Sequence, residues 1–160
     1  MKKICVFPGS FNPITSGHMN IIEKASALFD EVIVAVTDNK SKSYRVKAAE
    51  RAEIARKAVA AYPNVKVEAF NGLTAEFCVN SGAAYIVRGI RTYQDFENEK
   101  MLMTVNKKLK NIETLFFITD SEYAHISSSM VREILDNGGS IEDIVPLSVA
   151  GEIKLLYSKK

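Results

Sequence analysis

Five short runs rich in β-branched and aromatic residues, at 3–7, 32–36, 65–70, 85–87 and 114–118, alternate with stretches of helical periodicity. Helical patterns fall at about 17–29, 48–60, 74–81 and 93–109, then near 128–136 and 147–157. Few architectures satisfy such an alternation. A parallel strand needs a long crossover, and right-handed crossovers cover both faces of the sheet. Residues 1–160 are therefore expected to form a single-domain, Rossmann-like α/β fold with a five-stranded parallel sheet and helices on both faces. In such sheets ligands bind beyond the carboxyl ends of the strands, near a switch in strand order. That rule selects residues 8–18, 37–45, 71–74, 88–91 and 119–129.

Composition narrows the partners. A chain of 160 residues, 47% apolar and 25% charged, can bury one adequate core. Its net charge of +2 gives no reason to expect nucleic acid, although a local basic cluster can serve an anionic substrate. No apolar run approaches the roughly 20 residues of a membrane span. Met1-Lys2-Lys3 leads straight into a short strand pattern, too short for a secretory signal, so no membrane partner and a cytoplasmic location are expected. Cys5 and Cys78 lack C-x-x-C spacing or neighbouring metal ligands, and read as buried free thiols rather than a disulfide or zinc site.

The first strand run stops at Pro8-Gly9 and leads through Ser10-Phe11-Asn12-Pro13-Ile14-Thr15-Ser16 into Gly17-His18 and a helix. A helix start offers unpaired N–H groups and partial positive charge to a phosphate. Neither G-x-G-x-x-G nor the Walker A pattern is present. His18 is placed to donate to a phosphoryl oxygen in a transition state, the plainer alternative being a histidine that caps or packs. Arg88-Gly89-Ile90-Arg91 sets two guanidinium groups about a flexible glycine, a phosphate-binding arrangement unless the loop is simply solvated. Lys40 and Lys42, after the second strand, carry a weaker signal. Of Ser127, Ser128 and Ser129, one suffices as a helix cap, which leaves hydroxyls for the β- and γ-phosphates of a nucleotide. Asp95, Glu97 and Glu99 read mainly as a solvated face, with Glu99 and Asn106 on nearly one side of the helix. His125 has no visible partner and reads as a packing or surface residue, with contact to a ligand left open.

Taken together, P-G-S-F-N-P-I-T-S-G-H, R-G-I-R, D-F-E-N-E and I-S-S-S-M-V-R make the chain resemble the bacterial phosphopantetheine adenylyltransferase family, in the nucleotidyltransferase superfamily with a T/H-x-G-H motif. The resemblance implies transfer of the adenylyl group of ATP to 4'-phosphopantetheine, giving dephospho-coenzyme A and pyrophosphate. It implies that Ser10 contacts both substrates and that the Phe11 backbone lies near ATP. His18, Lys42 and Arg91 match catalytic positions, while Ser10, Lys42, Thr74 and Arg88 match substrate positions. Ser10, Phe11, His18, Gly89, Ile90, Arg91, Glu99 and the run Tyr123, Ala124, His125, Ile126, Ser127, Ser128, Ser129 match ATP positions. The family also uses Mg2+ with ATP, assembles as a homohexamer and is inhibited by coenzyme A.

Three positions depart from the family pattern: Asn12 for a more usual Asp, Asn98 for a frequent Tyr, and Val46-Lys47-Ala48 for a Phe-containing stretch before Glu50-Arg51. The rival readings are a nicotinate-mononucleotide-type adenylyltransferase, a cytidylyltransferase, and a non-catalytic nucleotide sensor. Thr15 and D-F-E-x-E favour the phosphopantetheine branch, and the presence of both His18 and Lys42 speaks against a sensor. The fourth long helix combines Phe96, Met101, Leu102, Met103, Val105 and Leu109, more apolar surface than one sheet contact needs, so self-association is expected. The alternative is a monomer that buries Met101 and Met103 under its C-terminal helix.

Overall fold

The structure, a computed structural model, describes residues 2–39 and 43–158. In chain order the elements are β1 (Ile4–Gly9), α1 (Ser16–Leu28), β2 (Glu31–Val36), α2 (Ala48–Ala58), β3 (Val65–Ala69) and α3 (Thr74–Asn80). They continue with β4 (Tyr85–Ile90), α4 (Tyr93–Lys110), β5 (Glu113–Ile118), α5 (Ser128–Asp136) and α6 (Leu147–Tyr157). All five strands are parallel, in the order β3-β2-β1-β4-β5. The chain winds outward from β1 to β3, then crosses to β4 on the other side. Order therefore reverses at the β1–β4 seam.

Two strands run further than their apolar patterns suggest. β1 continues through Pro8 and Gly9, paired with Ala35 and Val36, and β4 continues through Arg88 and Gly89 to Ile90, paired with β5. Arg88 and Gly89 thus belong to a strand rather than to the loop after it. A proline interrupts a ladder because it has no N–H. The carbonyl of Gly9 accepts from the Thr37 N–H on the β2 side, so the alternation of the strand turns Pro8 toward β4. There the β1–β4 register ends at Cys5↔Tyr85 and Val6↔Ile86, and no ladder bond is lost. The seam opens beyond Val6.

Alternation also divides the core. Cys5, Phe7, Val32, Val34 and Val36 join buried residues of α1, α2, α5 and α6 on one face. Val6, Ile33, Ala35 and Ile86 join Cys78 of α3 on the other. Both cysteines are free and buried, as expected, and burial pushes each thiol pKa up to about 12.

Gly89 is no hinge: a Cβ there would lie 2.8 Å from Ile21 Cγ1, so its bareness lets α1 settle against β4. On the far side, α4 packs Phe96 edge-on to Phe116 of β5 at 5.6 Å but has no fully buried residue. Met101 is 71% exposed, and α6 packs against α2 and α5. Burial of Met101 beneath the C-terminal helix is thereby excluded. Among the described residues, no helix is long and apolar enough to cross a membrane.

Candidate active site

Where β1 and β4 part, the end of the sheet opens into a cavity of about 590 Å³. Its walls come from the β1–α1 loop, the end of β4, the first turns of α4 and the start of α5, and residues 43–45 close one side. Four arginines (Arg45, Arg88, Arg91 and Arg132) and two carboxylates (Asp95 and Glu99) line it, a cationic balance suited to a polyanion.

Thr15 is the N-cap of α1, and its hydroxyl accepts from the His18 N–H. In return the Thr15 N–H donates to His18 Nδ1 at 3.0 Å. This is a capping box with histidine in the place usually held by Glu or Gln. Because Nδ1 accepts a backbone N–H, the ring proton is assigned to Nε2. His18 thus caps the helix and still has a donor for a ligand; capping and catalysis are not alternatives here. Burial, followed by the charges of Arg91 and Arg88, lowers its pKa to about 4, so the imidazole is neutral near pH 7.

Phe11 supports this ring, its own ring centred 4.9 Å away and edge-on to Phe7 at 5.3 Å. The Phe11 backbone is left-handed at φ 43°, which folds its ring over Gly9. A Cβ on Gly9 would stand 3.1 Å from that ring. The loop's carbonyls are held by side chains from elsewhere in the fold. Arg88 donates to Pro8, Arg51 to Ser10, Arg132 to Asn12 and the Ser128 hydroxyl to Pro13. Arg51 is wholly buried and also binds Asp38 and the Val46 carbonyl, with Tyr44 packed on its guanidinium at 4.5 Å.

Arg88 is gripped at two points by Glu99 of α4, Nε to Oε2 at 2.7 Å and Nη2 to Oε1. Arg91 donates to the Ile126 carbonyl at 2.9 Å and pairs with Asp95, which ties the end of β4 to the loop before α5. Each of the three serines has a partner. Ser127 caps α5 by accepting from the Met130 N–H, Ser128 binds Pro13, and Ser129 accepts from Arg132. Ser127 and Ser129 accept in these bonds, so each keeps its own hydroxyl proton for a ligand, whereas Ser128 spends its proton on Pro13.

The structure brings Ser10, Phe11, His18, Arg88, Gly89, Arg91, Glu99 and residues 126–129 to one cavity. Thr74 lies at the start of α3, outside that lining; Ile90 is buried in β4; Tyr123 and Ala124 are half-buried, and His125 is exposed, as its sequence reading anticipated. Lys40 and Lys42 lie outside the described residues, although Ser43, Tyr44 and Arg45 just beyond them line the cavity. Sequence reasoning missed Thr15, Arg45, Arg51 and Arg132. Thr15 was legible as the first residue of a capping-box spacing, and Arg132 as the i+4 neighbour of Ser128. Nothing local marks Arg51 as buried.

The cytidylyltransferase-like family model matches residues 6–134. The chain is 44% identical over 156 residues to a phosphopantetheine adenylyltransferase of Desulforamulus reducens, covering 97% of each chain. It is 43% identical over 160 residues to that of Finegoldia magna, covering 99% of each. With the Carboxydothermus hydrogenoformans protein of the same name it shares 42% over 159 residues, 99% of this chain and 98% of the relative. A solved nicotinic acid mononucleotide adenylyltransferase from Plasmodium falciparum, complexed with NaAD, superposes with a TM-score of 0.70 over 100% of this chain and 99% of its own. At 20% identity that likeness shows the fold alone.

Proposed function

The chain belongs to the phosphopantetheine adenylyltransferase family, and from that premise we propose that it transfers the adenylyl group of ATP to 4'-phosphopantetheine, a step of coenzyme A biosynthesis. The carrying observation is a neutral His18, its proton assigned to Nε2 by the Thr15 N–H, at the mouth of an arginine-lined cavity.

A phosphate monoester, with a second pKa near ~6, is already largely dianionic at neutral pH and attacks without a general base. Its oxygen forms a bond to the α-phosphorus of ATP while the bond to the β-phosphate oxygen breaks, releasing pyrophosphate and dephospho-coenzyme A. Catalysis then consists of aligning two polyanions and stabilising charge in transit. In this reading His18 Nε2–H and Arg91 serve the transferring phosphoryl group, and Lys42 reaches both it and the acceptor phosphate. Ser10 and Arg88 hold the acceptor, with Thr74 assigned to phosphopantetheine by family likeness. Gly89, Ile90, Glu99 and residues 123–129 surround the nucleotide. The bonds of Arg88 to Glu99 and to the Pro8 carbonyl use three of its five guanidinium N–H groups, which leaves two for a phosphate without displacing the carboxylate.

Among the described residues no cluster of metal-ligating side chains is present, and the cavity carboxylates Asp95 and Glu99 are each held by an arginine. These residues fit a magnesium ion carried by the triphosphate and its waters rather than one in a protein cage. When bound, such an ion supplies charge neutralisation to the phosphates.

The same reading includes a cytoplasmic location, a homohexamer assembled through the exposed face of α4, and inhibition by coenzyme A, which shares the product's pantetheine and adenylate parts. Incubation of purified protein with magnesium, ATP and 4'-phosphopantetheine should release pyrophosphate and yield dephospho-coenzyme A by mass. Turnover only with nicotinate mononucleotide or a cytidine nucleotide overturns the reading.

A further inference from the structure

Asn12 lies in the β1–α1 loop, 6% exposed, and lines the cavity. Its side-chain oxygen accepts from the Tyr157 hydroxyl at 2.7 Å, a contact spanning 145 residues of chain. Tyr157 ends α6 and is itself buried; Arg45 of the cavity wall donates to its carbonyl at 2.8 Å. Burial pushes the phenol's pKa well up, so the hydroxyl keeps its proton at working pH.

With Oδ1 occupied, the amide has one polar atom left. Nδ2 carries two protons and has no partner among the described residues. Nor is it sealed in, because the fully buried side-chain polar atom left without a partner among them is Thr114 Oγ1. As Asn12 lines the cavity, that is where this donor can find a ligand. The loop's backbone contacts mark the nearest end. The Asn12 carbonyl accepts from Arg132, which also reaches Ser129, and the next carbonyl accepts from Ser128. The backbone that carries the amide stands beside the serine-bearing start of α5.

We propose that Asn12 Nδ2 donates a hydrogen bond to phosphoryl oxygens of the nucleotide's triphosphate, and that Tyr157 is a positioning residue that turns the amide to do so. The identity of the ligand rests on the adenylyl-transfer reading. An aspartate, more usual here in the family, keeps an acceptor for Tyr157 but offers no donor to an anion. A purely structural role for the Asn12–Tyr157 contact makes a different prediction, because loss of packing disturbs every ligand alike.

Calorimetry of ATP, inorganic tripolyphosphate and adenosine on wild type, Asn12→Asp, Asn12→Ala, Tyr157→Phe and the Asn12→Ala/Tyr157→Phe pair tests this, with melting temperatures alongside. Asn12→Asp should weaken ATP and tripolyphosphate by about tenfold or more while adenosine stays within about twofold. Tyr157→Phe should cost roughly fivefold in tripolyphosphate affinity, and nothing further once Asn12 is Ala. Unchanged tripolyphosphate binding in Asn12→Asp, parallel loss of adenosine and tripolyphosphate, or additive effects in the double variant overturns the proposal. Turnover by the wild type is scored separately. If the binding cycle holds in a protein that fails to make dephospho-coenzyme A, the function reading falls and this inference stands.

Discussion

At the scale of the residue, His18 answers to two demands through two nitrogens. Nδ1 completes the capping box of α1 and Nε2 is left for chemistry. Glutamine at N3 preserves a capping acceptor. His18→Gln should therefore melt near the wild-type temperature while kcat falls by roughly two or more orders of magnitude, with ATP affinity much less affected. His18→Ala should lose turnover and also about 1 kcal/mol of stability, a typical cost of a missing cap. Steady-state kinetics with thermal melts separates the two, and equal losses in binding and turnover would mark His18 as a simple binding residue. The pKa adds a direction. In the unfolded chain His18 takes a proton near its usual 6.5, whereas the folded ring resists until about 4. Its neutral form thus contributes stability that is fully present above about 6.5 and is lost progressively as pH falls toward 4. Melting temperature against pH should fall less steeply across that window in His18→Gln than in wild type.

At the scale of the element, the site depends on how closely α1 approaches β4. Ile21 of α1 fills the space that a side chain on Gly89 would occupy. Gly89→Ala should cost about 1–3 kcal/mol through overpacking. The same substitution in an Ile21→Ala background should cost much less, because the clashing atoms are gone. Denaturant melts of the four proteins of that cycle measure the coupling, and equal costs in both backgrounds would remove Ile21 as the cause. Arg88 depends on β4 meeting α4 and β1, since its partners are Glu99, 11 residues on, and the Pro8 carbonyl.

At the scale of the molecule, the β5 edge of the sheet and the helix beside it are the least covered elements. α6 leaves Leu147 and Leu155 exposed but buries Ile153 and Tyr157 fully, whereas α4 buries no residue fully and exposes Met101 at 71%, and β5, an edge strand, exposes Ile118 at 68%. Leu102, Val105 and Leu109, also exposed, recur on one face of α4, and apolar patches are what interfaces cover. Light scattering coupled to size exclusion at micromolar protein should give several times 17.7 kDa. Met101→Lys should shift the mass to that of one chain without unfolding it, since a charge in a desolvated contact is costly but is solvated on the free subunit. A stable, active wild-type monomer across that range would end the assembly reading.

Local forces are written locally. Strand and helix runs were legible because a period of 2 or 3.6 is a property of neighbouring residues, and α5 and α6 begin and end where their apolar spacing places them. The loops at the carboxyl ends followed from the handedness of parallel crossovers. What the sequence did not show was which long-range partners those loops would meet. The prolongation of β1 through Pro8 depended on a neighbouring ladder ending at Val6. The bond from Ser128 depended on Pro13, 115 positions away in the chain, arriving beside it. Arg51 became a buried clasp on Ser10 only because residues 41 positions apart were folded together. Such pairs are chosen by the packing of whole elements. No periodicity encodes them, and the tertiary structure alone decides which backbone carbonyls and carboxylates a cation will find.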